Sequence, residues 1–134
     1  MTLYLDSSAL VAACIDGAAR PVVIDALDID PDWCTSALTL GEAIALVARL
    51  TDEEVLQNDL EDALRLLWDR IAVVPVDQTC LDRAARITRE QPVKIADAIH
   101  LAAADRLPRP LTFVTFDPAQ IPVALSMGFD VVST

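Results

Sequence analysis

Four acidic residues sit in settings where a carboxylate is costly. Asp6 ends the apolar run "TLYL", Glu42 lies within "ALTLGEAIALVARL", Asp97 within "KIADAIHLAAAD", and Asp117 follows "LTFVTF" directly. A charge taken from water destabilises the fold unless an opposite charge meets it. Gathered together, four carboxylates would repel and raise one another's pKa values. A hard divalent cation removes that conflict, because such ions prefer carboxylate and water oxygens. Each acid also has an ordinary reading. Asp6 and Asp117, each after a strand, suit helix N-caps, and Asp97 in a first helical turn suits the helix dipole. Glu42 is harder to dismiss, since it reads as mid-helix with Leu38 and Leu46 on its own face.

His100 stands three residues after Asp97, hence beside it on a helix. Hydrogen bonding to a neighbour, or packing at the margin of a site, is favoured over metal ligation, by analogy with two-metal sites, which are rich in oxygen. Cys14, Cys34 and Cys80 are odd in number and lack a CxxC spacing. They suggest neither a disulfide framework nor a zinc site, and a reduced cytoplasmic chain is expected. Cys34 reads as a small core residue.

The elements that must position these side chains alternate regularly. Strands are expected at 2–5, 32–36, 71–76, 111–116 and 129–133. Helices are expected at 7–15, 20–28, 37–50, 52–71, 78–91, 94–107 and 118–127, the last ending at Gly128. Ser7 or Ser8 reads as the N-cap of the first helix, and Pro21 fits the first turn of the second. In 52–71, Leu56, Leu60, Ala63, Leu64, Leu67 and Ile71 form one apolar stripe, with Val55 and Leu66 opposite it. Short apolar strands between helices imply a parallel sheet covered on both faces. Ligands in such folds sit beyond the carboxyl ends of the strands, where Asp6 and Asp117 would meet.

The 134 residues fit a single domain, 1–134, with a substantial core. Hydrophobic residues make up 54% and aromatics 4%, the palette of helices packed on a buried sheet. The net charge of −11, from 21 acids and 10 bases, opposes a nonspecific nucleic-acid coat, which needs a basic footprint. The run "ALVAACI" is too short to span a bilayer, and no basic segment precedes it. No membrane association is expected.

"YLDSSALV", "TSALTLGEA", "KIADAIHLAAA" and "FVTFD" resemble, in order and spacing, the four signature segments of the PIN-domain ribonucleases, most closely the small VapC-type toxins of bacterial toxin–antitoxin pairs. The resemblance covers essentially the whole chain. It implies an α/β/α three-layer sandwich with a five-stranded parallel sheet in the order 3-2-1-4-5. It maps the catalytic metal site for Mg²⁺ or Mn²⁺ onto Asp6, Glu42, Asp97 and Asp117. Ser8, Ser36 and Thr115 match supporting hydroxyl positions, and Ser7 stands where the family often has Thr. The implied activity is metal-dependent endoribonuclease cleavage of RNA, leaving 5′-phosphate and 3′-hydroxyl ends. The implied partners are a VapB-type antitoxin and a second copy of the chain.

Two divalent ions would bring the charge from −11 to −7 (−11 + 4) where phosphate approaches. Arg20, Arg49, Arg83, Arg86, Arg89 and Lys94 could line that approach, or lie on ordinary solvated faces. Two rivals remain at this stage. In a haloacid-dehalogenase-like phosphohydrolase Asp6 would be the nucleophile, although such enzymes usually carry a second Asp where Ser8 stands. The other is a non-catalytic PIN-like binding module, which the presence of all four acids opposes.

Overall fold

The computed structural model describes residues 1–134. Five strands alternate with seven helices: β1 (Thr2–Leu5), α1 (Ser7–Cys14), α2 (Ala19–Ile29), β2 (Asp32–Ser36), α3 (Thr39–Leu50), α4 (Glu54–Trp68), β3 (Ala72–Val74), α5 (Gln78–Glu90), α6 (Ile95–Asp105), β4 (Leu111–Val114), α7 (Ile121–Ser126) and β5 (Asp130–Val132). The sheet is fully parallel in the order β3-β2-β1-β4-β5, as expected from the resemblance. Two hydrophobic clusters flank it. Tyr4 and Phe113 enter the one that holds α5 and α6, while Leu3, Leu5 and Val114 enter the one that holds α1, α2 and α3. Alternation of side chains across each strand separates the two sets.

Coverage on both faces holds for β1 and β4 but not for the sheet edges. Ala72 and Val73 of β3 are exposed, and an edge strand needs less cover than a central one. The apolar stripe of α4 is likewise less buried than its periodicity predicts. Only Leu64 is buried there, Leu60 and Leu67 are partly covered, and Leu56 is exposed. The pattern is amphipathic, but α4 lies at the periphery against α3 and α1 and has no layer beyond it. The last helix ends as expected at Gly128, whose φ of +86° favours the residue without a β-carbon.

Candidate active site

Parallel pairing sets Leu5 opposite Val114, so the chain leaves β1 and β4 at the same edge of the sheet. Asp6 comes next after Leu5, and Asp117 follows β4 by three residues. Asp97 lies in the first turn of α6 and Glu42 in the first turn of α3. All four acids line one cleft, together with Ser7, Ser8, Leu46, Arg49 and Gln120. Glu42 is therefore not mid-helix as its sequence context suggests. The helix starts at Thr39, two residues later than expected, and its dipole favours an acid in the first turn.

Asp6 is the most tightly held of the four. Its Oδ1 accepts from Ser8 Oγ at 2.6 Å and from the Ala9 backbone N–H at 2.9 Å, which makes Asp6 the N-cap of α1. The cap assigned to Ser7 or Ser8 thus belongs one or two residues earlier, and Ser8 serves Asp6 instead. Its Oδ2 accepts from Thr115 Oγ1 at 2.5 Å and from Gln120 Nε2 at 3.2 Å. Thr115 in turn accepts the Asp117 N–H at 3.0 Å, and Ser8 accepts the Phe116 N–H at 2.9 Å. Two small hydroxyls thereby tie the end of β1 to the segment after β4. Burial pushes the Asp6 carboxyl above its ordinary pKa, against the pull of Ser8, Thr115 and nearby His100.

Glu42 is shifted the opposite way. A hydrogen bond from His100, at 2.5 Å from Nε2 to Oε1, holds its carboxyl below the usual glutamate range. A carboxylate can only accept, so Nε2 carries the hydrogen. On the other side of the ring, Nδ1 lies 2.8 Å from the Tyr4 hydroxyl. Burial raises the Tyr4 pKa and keeps that hydroxyl protonated. His100 is 1% exposed and orders a neighbour by hydrogen bonding, as its setting suggested. Asp97 is raised, first by burial and then by repulsion from Asp117. Its Oδ1 accepts from Gln120 Nε2 at 3.1 Å.

Ser36 does not reach the cleft. It is buried, accepts the Leu38 N–H and lies 3.3 Å from Thr39 Oγ1. Of the six basic candidates, only Arg49 lines the cleft. Arg20 pairs with Asp16 and Arg83 with Asp105, while Arg86 and Arg89 lie on a separate shallow surface. Sequence reading missed Gln120 altogether. It stands three residues after Asp117, and its backbone N–H bonds the Asp117 carbonyl at 3.1 Å. A polar residue one turn beyond a site acid was the available signal.

A family model of the PIN domain matches residues 3–124. No curated protein matches the chain. Among solved structures, FitAcB from Neisseria gonorrhoeae is similar at 23% identity and a TM-score of 0.69, covering 97% of this chain and 96% of that one. DNA-bound VapBC from Salmonella typhimurium is similar at 16% identity and a TM-score of 0.73, over 99% and 98% of the two chains. Mycobacterium tuberculosis VapC20, a sarcin–ricin loop cleaving toxin, is similar at 17% identity and a TM-score of 0.70, over 90% and 94%.

Proposed function

The chain belongs to the PIN-domain family, and from that premise we propose that it is a metal-dependent endoribonuclease acting as the VapC-type toxin of a toxin–antitoxin pair. One observation carries the reading. Four carboxylates from four separate segments line a single cleft at the carboxyl edge of the sheet. Family membership sets aside the haloacid-dehalogenase alternative.

The donor set fits a hard cation, since every acid in the cleft offers oxygen and no thiol or imidazole edge is free there. The shell is not preassembled. No three acidic, histidine or cysteine side chains stand close enough to hold an ion as they are. Asp6, Glu42, Asp97 and Asp117 would hold Mg²⁺ or Mn²⁺ after small rearrangements of their side chains. A bound divalent ion supplies Lewis-acid activation of water and charge stabilisation at the phosphate.

The chain's own residues do the rest. Ser8, Thr115 and the Ala9 N–H fix the Asp6 plane. His100, backed by Tyr4, fixes Glu42. Arg49, the basic side chain at the cleft, is placed to meet the RNA backbone. With so acidic a surface, affinity rests on shape and a short single-stranded segment more than on bulk charge.

Similar structures include a toxin–antitoxin complex from Klebsiella pneumoniae and a member of the VapBC family of toxin–antitoxin systems from Mycobacterium tuberculosis. A VapB-type antitoxin and a second copy of this chain are the proposed partners here. Exposed apolar side chains on α2 and α4 support that reading, with Val55 at 65% and Leu66 at 72% exposure. No helix is long and apolar enough to cross a membrane. The test is incubation of structured RNAs with the protein and Mg²⁺ or Mn²⁺. Cleavage abolished by EDTA and by Asp6→Asn supports the reading, and undiminished cleavage by the variant contradicts it.

A further inference from the structure

Gln120 is 2% exposed, and its Nε2 donates to Asp6 Oδ2 at 3.2 Å and to Asp97 Oδ1 at 3.1 Å. The two amide hydrogens thus go to two carboxylates. At the other end of the same amide, Oε1 is buried with no hydrogen-bond partner. Buried polar atoms are seldom left unpaired, because the desolvation goes uncompensated. Turning the amide over would present its oxygen to two carboxylates. The observed orientation therefore favours partial positive charge between Asp6 and Asp97 at the expense of an orphaned oxygen. The amide thus lends its partial positive charge where the two carboxylates face one another.

Asp6 explains why that matters. A carboxylate has about four lone-pair sites, and Ser8, Ala9, Thr115 and Gln120 fill all four. An ion can bind Asp6 only if one donor withdraws. The Ala9 N–H is fixed in the first turn of α1, and the two hydroxyl contacts are short and charge-assisted. The Gln120 contact is the longest of the four and lies on a flexible side chain.

Building on the metal-site reading above, we infer that Gln120 is a placeholder for the divalent ion: it bridges Asp6 and Asp97 in the metal-free protein and must release both before the ion binds. Gln120 is in this sense a positioning residue that holds Asp6 and Asp97 together and competes with the ion for them. Replacing it with an apolar side chain of similar length removes the competitor.

The test is calorimetric titration of Mn²⁺ into wild type and Gln120→Met, with Gln120→Leu as a second variant. Both variants should bind Mn²⁺ at least tenfold more tightly, because two hydrogen bonds to charged carboxylates, each worth about tenfold or more, no longer have to be given up. Melting adds a readout that survives partial destabilisation. In EDTA the variants should melt below wild type, and saturating Mn²⁺ should raise their Tm by more than it raises the wild-type value. Equal or weaker Mn²⁺ binding by both variants, with wild type still binding, overturns the placeholder and leaves the metal site standing. Binding by none of the three proteins removes the metal-site reading and this inference with it.

Discussion

Nε2 of His100 lies 2.5 Å from Oε1 of Glu42, joining α6 to α3 across 58 positions of sequence. Nδ1 of the same ring meets the hydroxyl of Tyr4, the penultimate residue of β1. One buried imidazole therefore sets the orientation of a site carboxylate and is itself fixed by the central strand. Arrangements of this kind, in which one ring nitrogen is oriented through the other, keep a ligand side chain in register.

His100→Phe should cost about 2–3 kcal/mol at neutral pH, the weight of a lost hydrogen bond to a charged group together with an orphaned Tyr4 hydroxyl. The pH dependence has a definite sign. The folded Glu42 carboxyl is depressed, so its contribution is complete above the unfolded glutamate value and disappears as pH falls through the folded one. Urea unfolding of both proteins should show the difference shrinking as pH falls through that window. A difference that stays constant would separate His100 from Glu42.

Asp97→Asn should stabilise the protein in EDTA at neutral pH while abolishing cleavage. The folded Asp97 carboxyl is raised by burial and by Asp117, so its ionised form opposes folding, and stability falls as pH rises through the window above the ordinary aspartate value. Because Asp97 is partly exposed, the gain is small, about 1 kcal/mol or less. Thermal melts of the two proteins in chelator would measure it.

Thr115→Val should cost about 1–3 kcal/mol, because it removes a donor to Asp6 and strands the Asp117 N–H. Thr115→Ser should restore most of the stability. If the hydroxyl orients Asp6 for turnover, the Val variant should lose kcat more than KM in RNA cleavage.

Leu66→Glu should leave the isolated chain's stability within about 0.5 kcal/mol, since the side chain is 72% exposed. Leu64→Ala, two residues earlier and buried, should cost about 2–4 kcal/mol. Under the antitoxin reading, Leu66→Glu should also weaken capture of a VapB-type partner, which co-purification would detect.

The parallel sheet and the shared edge of Asp6 and Asp117 were legible from pattern, whereas the strand order and the grouping of all four acids followed from the family resemblance. Short apolar strands, each leading to an acid or a helix, fix which edge those acids occupy. Local detail was less legible. The Asp6 cap was assigned to a neighbouring serine because all three residue types suit that position. The two-residue delay of α3 moved Glu42 from mid-helix to first turn, and helix starts are where patterns are weakest. α4 carries a proper stripe, yet periodicity reports which face is apolar and not whether anything lies against it. Gln120 was invisible for another reason: a lone amide in "DPAQIP" has no periodic or charge signature, and its two carboxylate contacts exist only once the chain is folded.

The most direct test is anomalous scattering from crystals grown with Mn²⁺. The expected result is a peak in the cleft at about 2.0–2.3 Å from carboxylate oxygens drawn from Asp6, Glu42, Asp97 and Asp117, lost in Asp6→Asn. A cleft without manganese in crystals of a protein that still cleaves RNA, or a peak bound elsewhere on the surface, would contradict the metal-site reading.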